Sequence, residues 1–222
     1  MTPQFQNRTQ AGELLATKLT AYAKRPDAIV LGLPRGGVPV AFEVAKTLNV
    51  PLDIILVRKL GAPAQPELAM GAIATGGVLV LNDEVVNWLG IPQAEIDAVA
   101  QREMQELERR DRLYRGNCPL PHVENRTVIL VDDGIATGST LRAAIAALRQ
   151  QQPQQIIVAV PIAPASVCQQ LRSQADDVVC AIEVEQLSAI SLWYEEFTQT
   201  SDEEVRALLA EAANSYMALF LS

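Results

Sequence analysis

Histidine is almost missing from this chain: His122 is the single one in 222 residues. Mechanisms that need a histidine cluster, and metal sites with two histidine ligands, are excluded. Cysteine is scarce too. Cys118, Cys168 and Cys180 are odd in number, far apart and without C-x-x-C spacing, which disfavours a disulfide framework and a structural zinc site. No stretch approaches the roughly 18 unbroken apolar residues of a membrane span, so no membrane partner is expected. Met1 to Arg8 hold no apolar signal core, which argues against secretion by that route and makes the cytoplasm the expected compartment. No G-x-G-x-x-G follows a strand and no G-x-x-x-x-G-K-[ST] occurs, so Rossmann and P-loop nucleotide sites are both absent. Basic residues run short toward the end. Residues 151–222 carry two basic and ten acidic groups, and the whole chain has a formal net charge of −8. Nucleic-acid binding leaves a basic face as its footprint, so no nucleic-acid partner is expected. An anionic ligand would be held by a local pocket, not by the overall field.

What is present is globular: 49% hydrophobic and 20% charged residues. The length suits one domain with small appendages, here taken as 1–222. A first helix is expected over Thr9 to Ala23, with Leu14, Leu15 and Leu19 on one side and Pro26 ending it. Short continuous apolar runs, the mark of strands buried on both faces, occur at 28–33, 52–57, 127–131, 156–160 and 178–184. Helical spacing falls between them, over 38–48, 141–150 and 164–173. A long helix from Pro92 to about Arg115 carries Ile96, Val99, Ala100, Met104 and Leu107 on one face. Its arginines interleave with acids and read as a solvated, salt-bridged surface rather than an RNA site. Arg58 to Gly77, rich in Gly, Pro and Ala, reads as a mobile loop running into a short hairpin with a strand at Val78 to Leu81. An acidic helix is expected near Asp202 to Ala213. Alternating strands and helices predict an α/β fold, a mostly parallel sheet with helices on both faces. Ligands on such sheets lie beyond the carboxyl ends of the strands.

Two strand ends stand out. One is Leu33-Pro34-Arg35-Gly36-Gly37. The other is Asp132-Asp133-Gly134-Ile135-Ala136-Thr137-Gly138-Ser139-Thr140. In the second, a small-residue loop entering a helix forms a cup of backbone N–H groups. The helix dipole and the hydroxyls of Thr137, Ser139 and Thr140 suit a phosphate. Two carboxylates in front would repel a bare phosphate. They make sense beside a vicinal diol or a bound cation, and a ribose 5-phosphate fits both halves. A capped turn with solvated acids explains any one of these features but not the nine-residue run.

The run Val128 to Thr140, four apolar residues, two acids and a loop ending Thr-Gly-x-Thr, resembles the signature of type I phosphoribosyltransferases. These enzymes bind phosphoribosyl pyrophosphate (PRPP). The resemblance extends over residues 28–184 and is closest to uncharacterised bacterial proteins of similar length. It implies a lid hairpin over 58–81 and a C-terminal hood or dimer segment at about 185–222. It also implies roles. Asp132 and Asp133 would bind the ribose hydroxyls, and Gly134, Ile135, Ala136, Thr137, Gly138, Ser139 and Thr140 the 5-phosphate. Arg35, Gly36 and Gly37 would hold the pyrophosphate, in a loop that in this family often contains a non-proline cis peptide, here Pro34–Arg35. Gly36 and Gly37 would permit positive φ and close approach of the ligand. Arg58 and Lys59 would be catalytic, closing over the leaving group. Mg²⁺ would bind mainly through PRPP oxygens, with Asp132 and Asp133 as candidate ligands. The partners implied are PRPP and a nitrogenous base, in a homodimer serving nucleotide metabolism.

Two departures bear on the base. Enzymes for 6-oxopurines place an acid directly before Thr-Gly, where Ala136 stands, which weakens a hypoxanthine, guanine or xanthine assignment. Gly134 replaces a bulkier apolar residue found in many members. Candidate base-hood segments are Pro161 to Pro164 and Ser191 to Phe197. The aromatics Trp193, Tyr194 and Phe197 could stack on a base, but core or dimer packing is the favoured reading. A PRPP-dependent transferase leads. A non-catalytic PRPP or nucleotide-binding regulator on the same fold is the alternative, and a phosphorylase using the same cup is a third reading.

Overall fold

The computed structural model describes residues 4–218. The apolar runs form a five-stranded sheet from β1 (Ala28–Gly32), β2 (Leu52–Ile54), β6 (Thr127–Val131), β7 (Gln155–Pro164) and β8 (Asp177–Val184), in the order β2-β1-β6-β7-β8. Every neighbouring pair is parallel, as the alternating pattern predicts. Helices α1 (Arg8–Thr17) and α2 (Gly37–Leu48) cover one face, and α5 (Ser139–Gln150) and α6 (Ala165–Leu171) the other.

Side-chain alternation along each strand divides the core. Ile29, Leu31, Val128, Leu130, Ile156 and Val158 meet Leu141, Ile145 and Leu148 of α5. The intervening Val30, Ile129, Val131 and Ile157 meet Leu15 of α1 and Val40, Val44 and Leu48 of α2. From β1 the chain crosses outward to β2, and from β6 it crosses the other way to β7. Gly32 and Val131 are the last paired residues of their strands. The loops that follow them are therefore side by side at the point where the winding reverses, which is where such sheets take ligands.

A second, antiparallel sheet contains β3 (Val57–Ala62), β4 (Gln65–Ala74) and β5 (Val78–Leu81). The hairpin strand expected at Val78 to Leu81 is present, while the loop expected before it is two paired strands. Leu60, Ala62, Met70 and Ile73 are buried together with Ile96, Val99 and Leu107 of α4 (Gln93–Arg115) and Val205 of α7 (Asp202–Ala218). The strand shortens at β2 for the same reason. Ile55 still bonds Gly32, but the Leu56 amide donates to the Thr75 hydroxyl at 2.8 Å, turning the chain into the hairpin.

The first helix also ends early, at Thr17 rather than Ala23. The Thr17 hydroxyl donates to the Leu14 carbonyl, and the amides of Lys18 and Leu19 close tight i→i−3 bonds before a 3₁₀ turn at Thr20–Tyr22. Leu15 and Leu19 are buried as expected, while Leu14 is exposed. Helix α3 (Asp83–Leu89) was not expected from the sequence. Asn82 caps it through the Val85 amide, and Gly90 closes it in the left-handed region.

Candidate active site

The acid pair leaves β6 directly over the turn that follows β1. A Cβ on Gly37 would lie 2.9 Å from the Asp132 Cα and from the Val131 carbonyl oxygen. A Cβ on Gly36 would lie 2.1 Å from Asp133 Oδ2. The two segments that stand out in the sequence are thus in contact, and glycine is what lets them touch. The reason differs from the expected one: Gly36 has φ −61° and Gly37 opens α2, so neither needs the left-handed region. The Pro34–Arg35 peptide is cis. Arg35 is one-third exposed, with its guanidinium 3.8 Å from Asp202 of α7. Asp202 also accepts the Tyr114 hydroxyl at 2.6 Å.

Burial and the neighbouring Asp133 charge push the Asp132 carboxyl well above the usual carboxylate range. Burial pushes Asp133 up as well, against the pull of Arg8. Asp132 Oδ1 accepts the Asp133 amide at 2.9 Å. Beyond the acids the loop is closed onto β7, where the Ile135 amide donates to the Ile162 carbonyl. Gly134 now has a physical account: a Cβ there would sit 2.8 Å from Ile190 and 3.0 Å from Ile162. Gly138, at φ +75°, is the N-cap of α5 and has no side chain to cap it. Ala136, Thr137, Ser139 and Thr140 are exposed, and the Thr137 and Ser139 hydroxyls are 2.9 Å apart. Arg142 braces the loop from outside by donating to the Thr137 carbonyl. An exposed ring of hydroxyls and helix-start amides beside two partly buried carboxylates suits a ligand with an anionic end and a diol.

Arg58 borders a small cavity shared with Pro34 and Thr140, and it donates twice to Glu103 of α4, at 2.9 and 2.6 Å. Lys59 borders a larger cleft under the hairpin and reaches Glu67 at 3.2 and 3.4 Å. The structure therefore brings Arg35, Gly36, Gly37, Asp132, Asp133, Arg58 and the 134–140 loop together, with Lys59 outside that group.

A sequence model of the phosphoribosyl transferase domain matches residues 4–195. The chain belongs to the phosphoribosyltransferase family. The chain is 46% identical over 213 residues to the Mycobacterium tuberculosis protein named "Putative phosphoribosyl transferase Rv0571c". That match covers 96% of this chain and 48% of the relative, so the chain spans about half the relative's length. It is 30% identical over 113 residues to "Bifunctional protein PyrR" of Corynebacterium diphtheriae, covering 48% of this chain and 60% of that one. Among solved structures, TT1426 from Thermus thermophilus shares 39% identity at a TM-score of 0.85, covering 94% of this chain and 98% of that one.

Sequence reasoning missed Arg8. Its guanidinium pairs with Asp133 Oδ2 at 2.8 Å, donates to the Thr198 carbonyl at 2.7 Å and lies 3.9 Å from the Phe197 ring centroid. No local pattern could have shown a contact between residues 125 apart in sequence. The aromatic cluster it joins follows the packing reading. Trp193 and Tyr194 are buried with Phe5, Ala11 and Ile162, and Tyr194 donates to the Asp133 carbonyl at 2.6 Å. Pro161 to Pro164 likewise lies buried in β7, supporting the cup rather than forming a hood.

Arg8→Gln should therefore destabilise the fold by about 3 kcal/mol at pH 7, because it leaves a buried carboxylate without its counter-charge. Without Arg8 the folded pKa of Asp133 rises further above its unfolded value. The deficit is then full at neutral pH and fades as the pH falls toward the carboxylate range, where protonated Asp133 needs no partner. Urea unfolding at pH 7 and pH 4 would show it; an equal deficit at both would contradict the charge argument.

Proposed function

We propose that this protein is a PRPP-dependent phosphoribosyltransferase that moves the 5-phosphoribosyl group onto a nitrogenous base and releases pyrophosphate. The observation that carries this reading is the packing of Gly36 and Gly37 against Asp133 and Asp132. It lets one ligand span the loop after β1 and the cup after β6. The carboxylates of Asp132 and Asp133 would accept the ribose hydroxyls, Gly134 to Thr140 would take the 5-phosphate, and Arg35 with the neighbouring amides would hold the pyrophosphate.

In the transfer, the C1–O bond breaks and its electron pair leaves on pyrophosphate. A base nitrogen forms the new C–N bond and its proton passes to solvent. The ribose gains oxocarbenium character on the way, so the site must stabilise negative charge on the leaving group and exclude water. Arg35 and Arg58 supply charge, and no protein nucleophile is needed. The donor set fits Mg²⁺ held mainly by the ligand. Among the described residues no group of three or more His, Cys, Asp or Glu side chains forms a metal cage, and one of the two site carboxylates is paired with Arg8. When bound, the ion would neutralise pyrophosphate charge.

The same reading takes 1–222 as one unit, with the 58–81 hairpin flanking the site and the 185–222 segment as hood or dimer surface. It makes the protein a cytoplasmic homodimer in nucleotide metabolism. Among the described residues no helix is long and apolar enough to cross a membrane. A second reading, a non-catalytic PRPP or nucleotide-binding regulator, draws support from Glu103 and Glu67, which occupy the cations Arg58 and Lys59. Pyrophosphate release from Mg²⁺–PRPP against a panel of purine and pyrimidine bases, with PRPP binding followed by calorimetry, separates them. Base-dependent release is the expected result. Binding without release selects the regulator, and no binding overturns both.

A further inference from the structure

Two of the four arginines near the end of α4 match the expectation of a solvated, salt-bridged surface. Arg109 and Arg112 are largely exposed and pair with Glu106 and Glu108. Arg115 is buried and fully used, on Asp53, Asp111 and the Ile54 carbonyl. Arg110 is different. It points toward the strand ends and borders a cavity of about 40 Å³ whose other walls include Leu33, Pro34, Arg58 and Thr140. These residues belong to the loop after β1, the hairpin and the start of α5, so α4 closes the fourth side of the candidate active site.

The guanidinium is held at one atom only. Its Nε donates to Glu106 at 2.7 Å, and among the described residues nothing accepts from either terminal nitrogen. Hydrogen bonds from Arg109 and Arg110 hold the Glu106 carboxyl down at about 2, so this anchor stays ionised across the physiological range. Burial and the Asp202 hydrogen bond push the Tyr114 phenol up to about 12, and the nearby charges of Arg110 and Arg35 oppose that rise. Arg58 and Arg110 share this cavity with Pro34, the residue before Arg35, and the side chains of Arg35, Arg58 and Arg110 are 35%, 33% and 39% exposed. The cavity itself admits on the order of one or two waters. A larger anion would lie across its mouth, against the exposed guanidinium edges.

We propose that Arg110 is a pyrophosphate contact, so that the rigid helix α4, and not only a closing lid, meets the charge that builds on the leaving group. This rests on the proposed PRPP reading and extends it to a residue outside the motifs that suggested it. A planar fork with two free terminal nitrogens suits bidentate binding of a phosphate edge, and lysine would serve less well.

The test compares Arg110→Gln, Arg110→Lys and the neighbouring Arg109→Gln with the unaltered protein. Calorimetry would use Mg²⁺–PRPP, Mg²⁺–pyrophosphate and ribose 5-phosphate. Arg110→Gln should weaken PRPP and pyrophosphate by about ten- to a hundredfold and leave ribose 5-phosphate within about twofold. Arg110→Lys should fall between, and Arg109→Gln, which shares the same Glu106, should match the unaltered protein. PRPP binding that Arg110→Gln does not move overturns this inference alone. An equal loss for ribose 5-phosphate also overturns it, since that would be a general disturbance of the site. Failure of the unaltered protein to bind PRPP overturns the proposed function, and the inference with it.

Discussion

Replacing Asp132 and Asp133 together by asparagine should weaken PRPP binding at least a hundredfold while the protein stays folded. Each charged hydrogen bond lost to a ribose hydroxyl is worth about 1.5–3 kcal/mol, and two such losses correspond to roughly 10²–10⁴ in affinity. The fold does not need the charge at Asp132. Burial and the adjacent carboxylate raise its pKa, so the folded chain holds a proton there more tightly than the unfolded chain does. Stability then falls as the pH rises from about 4 toward that raised value. Asp132→Asn alone removes this slope. The single variant should therefore gain on the unaltered protein as the pH goes from 4 to 8, even as it loses PRPP. Calorimetric titration and urea midpoints across that range test both halves. Unchanged PRPP affinity in the double variant would remove the central claim. A single variant whose deficit against the unaltered protein is the same at pH 4 and pH 8 would show that Asp132 serves packing instead.

This opposition of function and stability explains why the acid pair was visible in the sequence. Asp132, at the end of Val128-Ile129-Leu130-Val131 and beside a second carboxylate, has no structural purpose that a neutral residue would not serve better, whereas Asp133 is the counter-charge of Arg8. The strands were legible for a related reason: burial on both faces leaves no polar position to blur the pattern. The hairpin was legible only in its last strand, Val78 to Leu81. Gly61, Ala62, Pro63 and Pro66 give no alternation, and the apolar surface that orders Leu60 and Met70 lies more than twenty residues away in α4. Helix α3 could have been read from Asn82 and Gly90, but its seven residues are too few for a clear period. Arg8 and Arg110 were beyond reach, because their meaning comes from Asp133, Pro34 and Thr140, which are distant in sequence. Asp202, in a helix past the matched domain, reaches Arg35 in the same way. What sequence shows well is a group misplaced for stability; it shows poorly an ordinary charge that tertiary structure turns toward a site.

The turn after β1 should be as sensitive as the acids, and its two glycines should fail differently. A methyl at Gly37 meets the Asp132 Cα and the Val131 carbonyl oxygen at 2.9 Å, both backbone atoms at the end of a central strand. β6 is paired on both sides, to β1 and β7, and cannot yield. The turn itself must move, at a cost of about 1–3 kcal/mol for forced overpacking, and it carries Arg35 and the loop amides away from the cup. Gly37→Ala should lower the thermal midpoint by several degrees, on the order of 2–4 °C per kcal/mol for a chain of this size. PRPP affinity should fall about tenfold or more. A methyl at Gly36 instead meets the Asp133 carboxylate tip at 2.1 Å, which can turn away only by leaving Arg8. Gly36→Ala should therefore remove most PRPP affinity with a midpoint loss set by the broken ion pair, and Arg8→Gln in the same chain should add less than it costs alone, because that pair is already broken. Thermal melts and PRPP titrations of the three variants measure this coupling. Strict additivity of Gly36→Ala and Arg8→Gln would show that the methyl leaves Asp133 where it is.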